Sequence, residues 1–547
     1  MRPGREKGMV QTMNKGFLHA QGTKFVDGEG KEIRLRGVAL GNWMLLEGYM
    51  WGFMTTACNR ERLIEDAFRQ LVGPEEAARF FPAYREAFIS EMDIRMIAEM
   101  GYNSIRIPFN WKHFMYEGPG IRFKEEGFFL LDRVIGWCKK YGLYAFIDMH
   151  AAPGGQTGSN IDDGFQEIPR LFIDSDNWEK ALSLWEKIAE RYKDETAVAG
   201  YDLLNEPLRP NRPGAPIEDL DCFIPSLIHF YDACVARIRS VDKNHMFSIE
   251  GAHWARDTRV FNHLYDPNMC IHFHAYWTLA HKALLEPYME LSEKFQVPLW
   301  LGETGENTNE WFTTIFPMLD EYGISWNYWE WKKSIRENSC LVIKQPDGWQ
   351  QMIDFIKGGP HPGFENGKRM LDEWLVNVKA ENCRVIDKVT ASIMRKPGIE
   401  IPALSYMENG HSAMSFCKRD YREMDGMQYI TRYGAMPEID PSHAHGDSNV
   451  RTDHPWRMYD LLLKEKEYAT WLLRPDGKDA YVELIGYAPM GSATIKVTVG
   501  DTVKEIEVPA GVGPQSLGKV AIPAEYGEVF LKIECNEKEV ALEKLIF

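Results

Sequence analysis

The stretch YDLLNEP, residues 201–207, brings an amide and a carboxylate, Asn205 and Glu206, to the end of an apolar run. Tyr201, Leu203 and Leu204 suit a buried strand. Pro207 has no N–H for a sheet ladder, so the strand stops at Glu206. A second run, PLWLGETGE (residues 298–306), delivers Glu303 to a strand tip in the same way. Taken alone, Asn205 and Glu206 serve equally well as the cap of a following helix. A partner carboxylate changes that reading. Two carboxyl groups on either side of a glycosidic bond are the minimal set for its hydrolysis. One protonates the leaving oxygen and the other attacks the anomeric carbon. An ionised Glu303 is expected to raise the pKa of Glu206 by like-charge repulsion and so keep the acid protonated. Once Glu303 is esterified by sugar, that charge is gone and Glu206 is free to act as a base toward water.

Such a pair must be positioned by a frame, and the chain shows one. Apolar runs at 33–41, 103–109, 143–150, 198–207, 246–252, 270–277, 298–306 and 325–331 read as eight strands. Segments with helical spacing lie between them, at 178–192, 220–241 and 279–295. A polar helical stretch over 60–100 follows the first strand, broken at LVGPEE. This alternation predicts a closed (β/α)8 TIM barrel, with a doubly wound open sheet as the alternative. The strands end on Asn42, Asn110, His150, Glu206, His253, Tyr276, Glu303 and Trp331. In a barrel those ends share one rim, where active sites lie. Glu206 and Glu303, on the fourth and seventh strands, then face each other across the mouth.

In this order, SIRIP, DMH, LLNEP, HAYW and LGETG resemble the retaining β-glycosidases of glycoside hydrolase family 5. The resemblance covers roughly residues 30–335. It implies that Glu206 is the acid/base and Glu303 the nucleophile. It implies that Arg106 bonds Glu303 and holds it ionised, a surface ion pair being the plainer reading of that arginine. Asn205 would bind the sugar 2-hydroxyl. His150, His274 and Tyr276 would line the glycone subsite, with Tyr276 near the nucleophile. Trp331 would form the sugar platform, and Trp329, of the same strand parity, is the fallback. Glu250, Glu306 and Glu330 are rival carboxylates; Glu306, beyond its strand end, and Glu330, of opposite parity to the two tryptophans, read as structural or supporting. No metal or organic cofactor is implied. His272 and His274 have a spacing metals use, but no third ligand stands with them in a motif. The loop HAAPGGQTGSNIDDG (150–164) resembles the matching loop of the exo-β-1,3-glucanase and β-glucosidase branches. Its Gln, Asn and Asp are expected to offer hydrogen bonds to hydroxyls. MWGFMTTACNRERL (50–63) reads as a rim insertion or a structural elaboration.

The barrel is expected over 16–395, and an all-β sandwich over 396–547. MRKPGIEIPA (394–403) would be the linker. Beyond it come short alternating strands with Asp-Gly and Gly-Asp turns. They resemble jelly-roll carbohydrate-binding modules. Trp456, Tyr459 and Trp471 are the aromatic candidates for sugar, each equally suited to the core.

The formal net charge of -17, with no long basic run, argues against nucleic acid and anionic membranes as partners. No apolar run is long enough to span a bilayer, and the first residues show no signal-peptide core. The 9 scattered cysteines contain no CxxC pair, which with the missing signal gives a cytoplasmic expectation. The expected function is exo-acting hydrolysis of β-glucosides or β-glucan oligosaccharides. An endo-β-glucanase and a non-catalytic carbohydrate-binding protein are the alternatives, and carbohydrate is the partner in each.

Overall fold

The computed structural model describes residues 16–418 and 459–547, apart from 55, 277, 279 and 281. Trp456 lies outside them. Eight parallel strands close into a barrel. They are β1 (Arg36–Ala39), β2 (Ser104–Asn110), β3 (Tyr144–Ala151), β4 (Val198–Asp202), β5 (Met246–Glu250), β6 (Met269–Ala275), β7 (Leu299–Gly305) and β8 (Ser325–Trp329). Every residue of β2 to β8 is buried, as a sheet covered on both faces requires. The open-sheet alternative is excluded, because β8 pairs with β1.

Ahead of the barrel, Phe25 pairs antiparallel with Ile33 across a turn at 27–31. The helical stretch after β1 forms α1 (Glu61–Phe88) and α2 (Glu91–Glu99). The expected break falls inside α1, at Gly73, whose φ of 78° precedes Pro74. α3 (Glu126–Tyr141), α4 (Ser175–Tyr192) and α5 (Ile224–Val241) follow β2, β3 and β4. Between β5 and β6 there are only short turns, so that unit lacks a full helix. α6 (Glu286–Phe295) and α7 (Asn309–Glu321) flank β7. α8 (Trp349–Ile356), α9 (Phe364–Asn377) and α10 (Asp387–Met394) complete the shell. The stretch after β1 is core: Trp51 is fully buried against Tyr84, Trp349 and Trp374.

The C-terminal strands make one six-stranded and one four-stranded antiparallel array around their own apolar core. Tyr459 and Trp471 are buried, so neither offers a face to sugar. The segment expected as a linker is partly a strand, because Glu400–Pro402 pairs with the last strand of the chain. Arg395 ties the two lobes together. Its buried guanidinium donates to Thr313 O on α7 and to Leu472 O and Ser405 O beyond the barrel. Arg474 adds an ion pair to Asp320 of α7 at 2.7 Å.

Candidate active site

The barrel interior beneath the mouth is polar, and consecutive strands build it. Arg106 comes from β2, Asp148 and His150 from β3, Asp202 from β4, Glu250 from β5, His272 and His274 from β6, and Glu303 from β7. Register sets Asp148 beside Asp202, Glu250 beside His272, and His274 beside Glu303. Asn205 and Glu206 stand just past the end of β4. Glu206 takes a left-handed φ of 42°, and its N–H donates to Glu250 Oε2 at 2.7 Å.

Arg106 is the hub and has no solvent exposure, which removes the surface-pair reading. Its Nε donates to Asp202 at 2.8 Å, and its Nη1 to Glu303 Oε2 at 2.5 Å. Its Nη2 serves Asn205 Oδ1 at 2.8 Å and Glu250 at 3.0 Å, with Asp148 at 3.1 Å. Charge-assisted contacts of this kind are short and strong. Tyr276 OH donates to the other oxygen of Glu303, at 2.7 Å. Both oxygens of Glu303 are therefore held by donors. Asn205 Nδ2 donates to His150 Nε2 at 3.2 Å, and His150 Nδ1 meets Asp148 at 2.8 Å. Burial, with Arg106 nearby, lowers the His150 pKa to about 4, so this ring is neutral.

Five carboxyl groups (Asp148, Asp202, Glu206, Glu250 and Glu303) surround one guanidinium, so protons must reside on some of them or on the histidines. Burial, strengthened by Asp202, raises Asp148 well above the carboxylate range in spite of Arg106. His274 Nδ1 lies 2.8 Å from Glu206 Oε1. Burial alone would depress His274, but Glu250, Glu303 and the bond to Glu206 outweigh it and raise it well above the ordinary imidazole value. In turn, His274 overcomes the burial of Glu206 and lowers that carboxyl. The expected repulsive lift of Glu206 by Glu303 is thus overridden by an imidazolium in direct contact.

One oxygen of Glu206, one of Glu303 and a nitrogen of His274 all lie within 4.8 Å of one another. His272, His274 and Glu250 also bring ligand-type atoms within 4.8 Å, so the third group missing from the motif is supplied by β5. The two Nε2 atoms, however, lie 3.0 Å apart, which is an N–H···N hydrogen bond. A metal would have to displace that proton.

Trp331 does not join this group. β8 ends at Trp329, so strand alternation no longer applies two residues on. Trp331 is buried with its Nε1 donating to Asp93 at 2.9 Å. Trp329 does stand beside this group. Its ring stacks on His150 at 5.6 Å and 11°, and its Nε1 donates to Tyr49 OH at 2.9 Å. The loop at 150–164 differs from expectation as well. Gln156 is fully buried and bonds the carbonyls of His150 and Asn205. Asp162 accepts from Thr157 and Gly164, and Asp163 from Asn110 and Arg62. These side chains brace the loop itself, so they are not free for hydroxyls. Gly155 permits the fold, since a Cβ there would lie 2.8 Å from Asp162 Oδ2. The rival carboxylates have supporting places: Glu306 pairs with Lys333 at 2.9 Å, and Glu330 is fully buried.

Asp148 and Asp202 are the residues that reading strand tips missed, while Glu250 enters that reading only as a rival carboxylate and His272 only through a metal-like spacing. The signal of the missed pair is a charged residue in the middle of an otherwise apolar run, two positions before His150 for Asp148 and four before Glu206 for Asp202.

A closed barrel that gathers paired carboxyl groups, a buried arginine and two histidines at its mouth has the make-up of a glycoside hydrolase. Residues 71–334 match the cellulase family, glycosyl hydrolase family 5. The barrel thus resembles glycoside hydrolase family 5 domains. A β-xylosidase from Phanerodontia chrysosporium is 35% identical over 278 residues, which is 50% of this chain and 54% of that protein. A probable glucan 1,3-β-glucosidase A from Emericella nidulans is 31% identical, over 38% of this chain and 48% of that protein. The chain thus spans about half the length of these two relatives. Among solved structures, the endoglucanase Cel5A from Thermotoga maritima aligns with a TM-score of 0.39 and 21% identity, over 54% of this chain and 89% of that one.

Proposed function

We propose that the protein hydrolyses β-glucosides or β-glucan oligosaccharides from the non-reducing end, by double displacement with retention. Glu303 attacks the anomeric carbon while Glu206 protonates the leaving oxygen. Glu206 then takes a proton from the water that releases the sugar. The observation that carries this reading is the approach of the two carboxyls to within 4.8 Å. Retaining pairs sit about 5–5.5 Å apart, whereas inverting pairs leave about 6.5–9.5 Å for a water. The donors on both oxygens of Glu303 hold it in place for attack. Asn205 keeps a second Nδ2 hydrogen for a sugar hydroxyl, and Trp329 supplies the flat face beneath the ring. The relatives named as a β-xylosidase and a glucan 1,3-β-glucosidase support release of single sugars.

The first of them favours a second reading, in which the glycone is xylose. A panel of aryl β-glucosides and β-xylosides, with Glu303→Gln as control, decides between the two. A ladder of internal fragments from a long β-glucan would replace the exo reading with an endo one.

A further inference from the structure

A second buried imidazole stands behind the one that touches Glu206. His272 Nε2 lies 3.0 Å from His274 Nε2. Its Nδ1 lies 3.1 Å from Asp202 Oδ1, 2.9 Å from Ser248 Oγ and 3.3 Å from Glu250. The ring packs on Trp300, with centroids 4.6 Å apart. A Cβ on Gly302 would fall 2.0 Å from His272 Nε2, so the residue before Glu303 must be glycine for this ring to fit. A continuous chain of polar contacts results. It runs from Glu206 through His274, His272 and Asp202 to Arg106, and from Arg106 to Glu303.

We propose that His272 and His274 share one positive charge, carried by a single proton between their Nε2 atoms, and that its position sets whether Glu206 works as acid or base. This rests on the reading of Glu206 as the acid/base, and it makes His272 a positioning residue. With the proton on His274 Nε2, His274 is the cation and favours Glu206 as carboxylate. His272 is then neutral, with its one hydrogen on Nδ1 toward Asp202. When the proton crosses to His272 Nε2, His272 becomes the cation between Asp202 and Glu250. His274 keeps one hydrogen, on Nδ1, still donated to Glu206. No proton enters or leaves the pair. The charge withdraws while Glu206 holds its proton and returns once that proton has gone to the leaving oxygen.

The surroundings support both positions. Asp202 faces His272 from β4, Glu250 lies 3.3 Å from His272 and 3.5 Å from His274, and Glu206, Glu303 and Asp148 act on His274. Arg106 opposes a cation at either ring. On β6 itself Cys270 is buried, and its thiol is pushed up by that burial. Burial lowers His272 despite Asp202 and Glu250, whereas His274 is raised. The charge therefore rests on His274 in the present geometry, with a prepared seat one hydrogen bond away.

The test compares wild type with His272→Gln on aryl β-glycosides of graded leaving-group acidity, reading kcat/KM against pH. In the variant the charge stays on His274, so Glu206 loses its proton at lower pH. The alkaline limb for poor leaving groups should move down by about one pH unit, a tenfold loss on that limb. Activated leaving groups should change little. An unmoved limb in a folded variant overturns the proposal. If Glu206 were not the acid, Glu206→Ala would lower kcat/KM equally for poor and activated leaving groups, so the two failures are distinct. Should His272→Gln not fold, 15N-histidine NMR of the wild-type chain decides. One charge shared between the two rings is expected. Two neutral rings, or a charge confined to His274 with no exchange, overturns it.

Discussion

His274 Nδ1 sits 2.8 Å from Glu206 Oε1, and the ring holds that carboxyl below its usual range against the pull of burial. The transferable proton of the site thus belongs to a carboxyl–imidazole pair. His274 is raised, so its favourable contribution to folding is complete below about pH 6.5 and is lost as pH rises through the raised value. Glu206 is lowered, so its share is present above about pH 4.3 and is lost as pH falls through the lowered value. Stability measured against pH should therefore plateau between these limits, and His274→Gln should remove the alkaline fall. An identical alkaline fall in wild type and variant would show that other groups govern it.

Glu206→Ala should cost about 10²–10⁴-fold in kcat/KM on alkyl or phenyl glycosides, the range of general acid catalysis. Activated aryl glycosides need no proton, so their first step should survive better. Azide should rescue this variant and yield a β-azide. Equal sensitivity of both substrate types, with no azide effect, would remove Glu206 from the role.

Glu303→Ala should impair both substrate types alike, because no covalent intermediate can form, and azide should give an α-azide by direct displacement. Proton NMR of the wild-type reaction should show the β-anomer released first. An α-anomer from a β-glycoside would mean inversion.

Much of this site was legible in the chain. Apolar runs alternating with helical segments predict the barrel, and the two strand-end glutamates follow from it. Trp331 was not legible. Its parity matches Trp329, and only the end of β8 at Trp329 separates them. The loop at 150–164 misled for another reason. Composition reveals hydrogen-bonding capacity, not whether Gln156 and Asp162 have already used it internally. The charge balance was hidden as well, because the contact of His274 with Glu206 joins strands far apart in sequence.

The two tryptophans are separable by experiment. Trp329→Ala should raise KM strongly while leaving the fold intact, as a lost sugar platform would. Trp331→Ala should instead cost about 3–5 kcal/mol of stability, with KM unchanged in whatever remains folded. Thermal unfolding and steady-state kinetics read the two effects. A KM effect at Trp331 without a fall in stability would restore it as the platform.

Among the described residues, none beyond the barrel is hydrogen-bonded or ion-paired to Glu206 or Glu303, so ending the chain after Arg395 should leave KM on small aryl glycosides unchanged. Thermal stability should fall. Arg395 loses Leu472 and Ser405, and Asp320 loses Arg474. Asp320→Ala in the full chain should reproduce part of that loss. A truncated chain as stable as the parent would mean that the clamp is incidental.

The reacting groups stand on or at the ends of strands, while Tyr49, the partner of Trp329, stands on the connection after β1. On the proposed reading, the reacting carboxyls and part of the support for the sugar platform therefore lie on different parts of the chain. Strand residues locked by Arg106 tolerate little change, whereas the connections above them can be exchanged without disturbing the proton or the nucleophile. A new glycone preference is then a matter of grafting loops, and the barrel is a scaffold on which specificity can drift while its reaction stays fixed.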